Sequence, residues 1–362
     1  MSSPQPNDRQ QFWQDLSAAG LVQGDYPLAT VGSPWYVKTL LGFSGWLAAL
    51  FMLGFFALGL EDLLEKESAC LVLGMLLLGG AFFLLQLEQR NEFVGHLGLA
   101  ISLTGQGLVV WALARLIGEN ESATWLVIAL FEVALALVMP DFIHRVFSSF
   151  AAGVCASVFV VMHRELYLQP VLLFAAVCAL WLYEMKWPIQ LSRWVPIAYG
   201  LTLVLLGSKT VLLVGVDLAY ELNRDRMGVM WLQPPVGEAL CALISLTVVW
   251  QLLRRQQLTW RQPVFIVAML FSVVVCLLSQ EARGLTIGLT LVLLGFAGSN
   301  RVLLGLGIIA LLFFVSAYYY LLQLSLLDKA YILFTVGSAL LLAYWVKRRW
   351  LDANANAGGN HA

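Results

Sequence analysis

The sequence predicts an all-α fold, a polytopic membrane helix bundle of about twelve transmembrane helices, with ten to twelve as the expected range. Three observations predict it. Of 362 residues, 60 % are hydrophobic and only 12 % charged. The apolar residues are gathered into about twelve runs close to spanning length, and eight of the thirteen Trp sit at or near the ends of those runs. An ordinary soluble domain is about 45–50 % apolar and about 25 % charged, so this chain has half the charge needed to cover a water-exposed surface. Disorder is excluded by the same composition. A net charge of −1, from 21 Lys+Arg and 22 Asp+Glu, leaves no basic surplus to neutralise phosphates, which excludes a nucleic-acid binder. The expected partners are the lipid bilayer and another membrane protein.

A spanning helix needs roughly 20 mostly apolar residues, because about 1.5 Å of rise per residue must cover about 30 Å of hydrocarbon. The runs meeting this are 37–59, 69–87, 93–114, 124–140, 143–162, 170–185, 195–216, 236–253, 263–280, 284–299, 302–322 and 329–346. The pairs meeting near Pro140 and near Ser299 to Arg301 are so tightly joined that re-entrant hairpins are an alternative there. Residues 35–350 are thus the transmembrane domain, preceded by a cytoplasmic or interfacial segment, 1–34, and followed by a polar, disordered tail, 351–362. No charged n-region with an apolar run and a small-residue cleavage site opens the chain, so no cleaved signal peptide is expected. The loop 217–235, with mixed charge and large apolar residues near its end, reads as an interfacial helix.

Orientation follows from the Lys and Arg, which accumulate in cytoplasmic loops. With the N-terminus inside, thirteen of the 21 fall in inner segments, most densely at Arg254, Arg255 and Arg261 and at Lys347, Arg348 and Arg349. Acid collects instead after the first span, at Glu61, Asp62, Glu65 and Glu67. Both termini are expected in the cytoplasm. Indole favours the headgroup layer, where its apolar body and polar N–H are both accommodated. Trp35, Trp125, Trp187, Trp194, Trp231, Trp260, Trp345 and Trp350 fit that placement, whereas Trp46 and Trp111 lie well inside their spans and read as packing.

Few residues offer chemistry. Cys70, Cys155, Cys178, Cys241 and Cys276 have no CxxC spacing and read as small apolar packing residues. His96, His144, His163 and His361 place no two imidazoles on one helix face as zinc ligands. Gly42-Phe43-Ser44-Gly45 matches the GxSG of rhomboid-type serine proteases over four residues only, without a histidine at its depth, so close helix packing is the expected role. No catalytic motif, metal site or cofactor is expected.

The informative residues are Glu132, Lys209 and Gln106. Glu132 lies near mid-bilayer, where a charge costs about 2.5–3.5 kcal/mol on insertion scales, so it should be protonated, paired or facing a wet cavity. Ala129 and Ala136, one turn to either side, leave room for a neighbouring helix, so Glu132 should point inward. Lys209 lies eight residues before Asp217, about 12 Å by helical rise, and its neighbours one turn away are all Leu, as on a lipid-facing stripe. Two readings stay open: a Glu132–Lys209 pair, or a protonated glutamate with a lysine that snorkels to the interface. Gln106, with Ser102 and Thr104, adds a polar patch of the kind that ties helices together.

Pro34-Trp35-Tyr36, the run Gly45-Trp46-Leu47-Ala48-Ala49-Leu50 and Leu326-Leu327-Asp328-Lys329 resemble the bacterial multi-pass family known as domain of unknown function 4401. The resembling stretches cover roughly the first and last sixth of the chain. The resemblance implies a bacterial inner-membrane location and no particular reaction. Gly24-Asp25-Tyr26 is similar to the GDYxxLxY motif of a companion family, but Leu28 comes one place early and Val31 replaces the final Tyr, so nothing is carried over from it. The expected role is structural or interaction-based, within the membrane and not enzymatic. The alternative is secondary transport of a small solute, proton-coupled through Glu132.

Overall fold

The computed structural model describes residues 65–86, 92–118, 120–163, 166–183, 191–214, 234–280 and 283–321, with isolated positions before and after them. The described residues form ten helices and no strand. They are α1 (Glu67–Gln86), α2 (Glu92–Ile117), α3 (Glu121–Val138), α4 (Phe142–Met162), α5 (Leu168–Tyr183), α6 (Leu191–Val214), α7 (Pro234–Arg255), α8 (Pro263–Leu278), α9 (Leu285–Ala297) and α10 (Arg301–Leu321). Each coincides, within a few residues at its ends, with one of the apolar runs. Seven are long and apolar enough to cross a membrane, while α5, α8 and α9 are shorter. Most of the expected first and last spans, of the segment 1–34 and of the loop 217–235, the whole tail 351–362, and Gly42 and Gly45 of the GxSG stretch lie outside the described residues.

The helix ends have local causes. Asn120 caps α3, its side chain accepting from the Ala123 amide at 3.1 Å. Pro140 cannot donate to a continuing helix, so α3 stops at Val138. Asp141 then starts α4 by accepting from the amides of Ile143 (2.9 Å) and His144 (3.2 Å). Three residues therefore turn the chain between two helices of 18 and 21 residues, so each arm of this hairpin is a full-length helix. The second tight pair differs. Asn300 accepts from the Leu303 amide at 3.1 Å to start the 21-residue α10, but α9 has only 13 residues, about 20 Å of rise against about 30 Å of hydrocarbon.

Packing begins with sequential hairpins, α1 with α2, α3 with α4 and α9 with α10, and continues through α4 on α6, α5 on α6 and α7 on α5. Glycine lets backbones touch at three of these contacts. A Cβ on Gly74 would lie 2.8 Å from the Gly105 carbonyl oxygen across α1 and α2. One on Gly200 would strike the backbone of Val146 and Phe150 in α4, and one on Gly295 the backbone of Leu304 in α10. Small residues at such crossings are how helices associate where lipid removes the hydrophobic drive. The largest apolar core joins α5, α6, α7, α9 and α10 around Phe174, Trp181, Leu205, Val248, Leu291 and Leu303. Trp181 donates to the Thr202 hydroxyl at 3.1 Å, and Tyr199 to the Asn300 side chain at 2.7 Å. A second cluster, Leu78, Val109, Leu135 and Met139, joins α1, α2 and α3.

Trp111 departs from its expected place. It is 46 % exposed on the bundle surface, with the Arg115 guanidinium 5.2 Å from its ring centre. The helix that carries it runs on to Ile117, and the cation one turn further along draws the indole outward.

Candidate functional site

The intramembrane polar residues collect at two places. Gln106 lies eleven residues before the end of α2 and Glu132 eleven residues after the start of α3. The two helices are antiparallel neighbours, so equal steps from their connection set both side chains at one level. Gln106 Nε2 donates to Glu132 Oε2 at 2.5 Å. Pro140 sets the third member by the same arithmetic, because Glu132 precedes it by eight residues and Ser148 follows it by eight. Ser148 is thereby set on α4 at the level of Glu132. His144, one turn earlier on α4, brings Nδ1 to 3.3 Å from Ser148 Oγ. Glu132 is 1 % exposed, Gln106 3 % and His144 and Ser148 0 %.

This cluster is only partly satisfied. Gln106 Oε1, His144 Nε2 and Ser102 Oγ are buried without a hydrogen-bond partner. Each such group costs about 1–3 kcal/mol when nothing compensates. Arg145, beside His144, donates from Nε to the Met139 carbonyl and so satisfies an acceptor left open where Pro140 ends α3.

Lys209 is not part of this cluster and does not face lipid. Its Nζ lies 2.5 Å from Glu238 Oε1, with the two side chains 8 % and 7 % exposed. Lys209 is five residues from the end of α6 and Glu238 four from the start of α7, again nearly level. The Glu132–Lys209 pairing and the snorkelling lysine are both replaced by a Lys209–Glu238 ion pair. The physical reason is that lipid tails are as apolar as Leu, so a leucine stripe around a lysine fits a packed helix face as well as a lipid-facing one. Leu205, one turn from Lys209, is in fact fully buried in the largest core. Glu238, His144 and Ser148 were not singled out by the sequence, although each carried a signal. Glu238 is a charge within an apolar run, and His144, Arg145, Ser148 and Ser149 form a polar stripe along α4, all four buried.

Among the described residues no three His, Cys, Asp or Glu side chains are arranged to hold a metal ion. The five cysteines are buried thiols.

An all-α bundle with seven apolar helices of crossing length is consistent with a membrane protein. Residues 34–350 match the family described as Domain of unknown function (DUF4401), and the chain belongs to that family. Comparison with curated proteins and with solved structures gave no match.

Proposed function

We propose that this chain is a multi-pass protein of the bacterial inner membrane, with about twelve spans and both termini in the cytoplasm, whose bundle has a structural or interaction role alongside another membrane protein and catalyses no reaction. The observation that supports this reading is that the interior charges are spent on helix contacts: Glu132 on Gln106, Lys209 on Glu238 and Arg145 on the Met139 carbonyl. Such contacts fix which helix lies against which and at what register, the use of buried polar groups that is best attested. Reporter fusions after Arg255 and after Lys66 test the orientation; they should read cytoplasm and periplasm respectively, and the reverse result would overturn it.

A second reading, proton-coupled transport of a small solute, is favoured by the buried carboxyl of Glu132 and by the unpartnered Oε1 of Gln106, whose Nε2 it holds. Proteoliposomes carrying an internal pH-sensitive dye separate the two. On the structural reading, an imposed membrane potential drives no more proton entry than in protein-free vesicles. Proton entry above that background that disappears in Glu132→Gln would replace the structural reading with transport.

A further inference from the structure

A cavity of about 650 Å³ opens between α7, α8 and α9, apart from Glu132, Gln106 and Lys209. Its walls are mostly apolar, with Val249 and Leu252 from α7, Phe271 and Val275 from α8 and Leu293 from α9. One end is basic, at Arg255 and Gln256. The other end is polar, at Ser245 and Thr286, where the Ser245 hydroxyl also shares a hydrogen bond of 2.6 Å with that of Thr290. Ser245 and Arg255 are ten residues apart on α7, about 15 Å by helical rise, which is half of the roughly 30 Å hydrocarbon thickness. The cavity is therefore one leaflet deep.

The basic end has the markings of a headgroup layer. The Arg254 guanidinium lies 5.0 Å from the Trp250 ring centre, and that of Arg261 5.0 Å from that of Trp260. Arg255 donates to the Leu182 carbonyl, which uses part of its five-donor fork. Among the described residues it has no carboxylate partner, so a cation with donors to spare stands at the mouth of an apolar slot. The third wall, α8, holds only lightly to α7 and α9, and its Val267, Leu270 and Leu277 are more than 60 % exposed, so the slot is bounded by a helix that faces lipid.

We propose that this cavity binds an anionic glycerophospholipid of the leaflet on the Arg255 side, one acyl chain lying along α7 and α9 and the phosphate meeting Arg255. Volume suits the ligand, since small-molecule sites run about 300–1,000 Å³. Depth suits it as well, because the polar end at Ser245 and Thr286 lies about 15 Å from Arg255, where a leaflet's chains stop. The inference rests on the reading of the chain as a membrane protein, and reconstitution tests that reading separately.

The full chain is reconstituted into nanodiscs containing a trace of phosphatidylglycerol with a photoactivatable diazirine on its acyl chain, or the matching phosphatidylcholine, and labelled peptides are mapped by mass spectrometry. Labelling is expected to concentrate on 245–256, 268–276 and 286–297, with phosphatidylglycerol preferred by about fivefold, the factor that one arginine beside a headgroup confers. Arg255→Gln should remove the preference while leaving acyl labelling in place. Arg254→Gln, whose side chain stacks on Trp250 and does not line the cavity, should keep it. Ala268→Phe, which fills the slot, should lower labelling there; where that variant elutes as aggregate, the Arg255→Gln result decides alone. Equal labelling by the two lipids, labelling spread evenly over exposed faces such as Leu76 and Phe83 of α1, or cross-links joining the slot to another protein segment would each overturn the proposal. A chain that fails to enter nanodiscs would overturn the membrane reading with it.

Discussion

The Lys209–Glu238 pair gives the sharpest test of how this bundle is held. Both side chains are less than a tenth exposed and the N–O separation is 2.5 Å, so solvent screens little of the interaction. Lys209→Met keeps the length of the side chain and removes its charge, leaving Glu238 with neither carboxylate oxygen partnered, because Oε2 already has none. Breaking a buried pair costs about 3–5 kcal/mol. The lower end of that range, about 3 kcal/mol, is the expected loss for Lys209→Met and likewise for Glu238→Met, because both residues lie near the ends of their helices. Replacing both leaves two apolar side chains in an apolar contact, so the double variant should recover at least about 2 kcal/mol of the summed losses. Unfolding by a denaturing detergent, followed by circular dichroism on protein in mild micelles, measures all four species. The companion cycle of Lys209→Met with Glu132→Ala should be additive to within about 0.5 kcal/mol, because the two residues share no partner. Single losses below about 0.5 kcal/mol, or coupling of Lys209 to Glu132 in place of Glu238, would refute the reasoning.

Three further outcomes follow from particular contacts. Gly295→Ala places a Cβ 2.5 Å from the Leu304 amide nitrogen and must push α9 from α10, so a loss of about 1–3 kcal/mol is expected in the same unfolding assay, while Gly79→Ala, with open space around it, should be neutral or gain up to about 1 kcal/mol. Asp141→Ala removes the side chain that accepts from Ile143 and His144, and should lower stability by about 1 kcal/mol, whereas Asp141→Asn, still a capping residue, should lose less. Glu132→Gln keeps an acceptor for Gln106 Nε2 and should unfold within about 1 kcal/mol of the parent, whereas Glu132→Ala leaves a buried amide unpaired and should lose about 1–3 kcal/mol more.

The sequence carries depth along the membrane normal far better than direction around a helix. Depth is written in the ends of apolar runs, because charges and Pro140 stop helices, and the capping residues Asn120 and Asp141 start them, for local reasons that need no tertiary context. That is why all ten described helices fall on expected runs, and why α3 and α4 are legible as adjacent segments in the sequence alone. Direction is different. In α3, Leu135 is 8 % exposed while Leu130 is 61 % and Leu137 48 %, although all three are the same residue. A soluble helix would mark its outer face with charge. A helix in lipid has no such need, since its packed face and its lipid face can be equally apolar.

Polar residues break this symmetry, and they do so pairwise. A lone polar group within a span must turn from lipid toward a partner, and in an antiparallel hairpin that partner lies an equal number of residues beyond the turn. Glu132 with Ser148 about Pro140 and Gln106 with Glu132 about the α2–α3 connection obey this count, while Lys209 meets Glu238 from five residues before the end of α6 to four after the start of α7. The count also shows why Glu132 and Lys209, the most conspicuous opposite charges in the sequence, do not meet. Each already has a buried partner on another helix, Gln106 on α2 for Glu132 and Glu238 on α7 for Lys209. Opposite charge alone selects no partner over these distances; the level and facing of the neighbouring helix do.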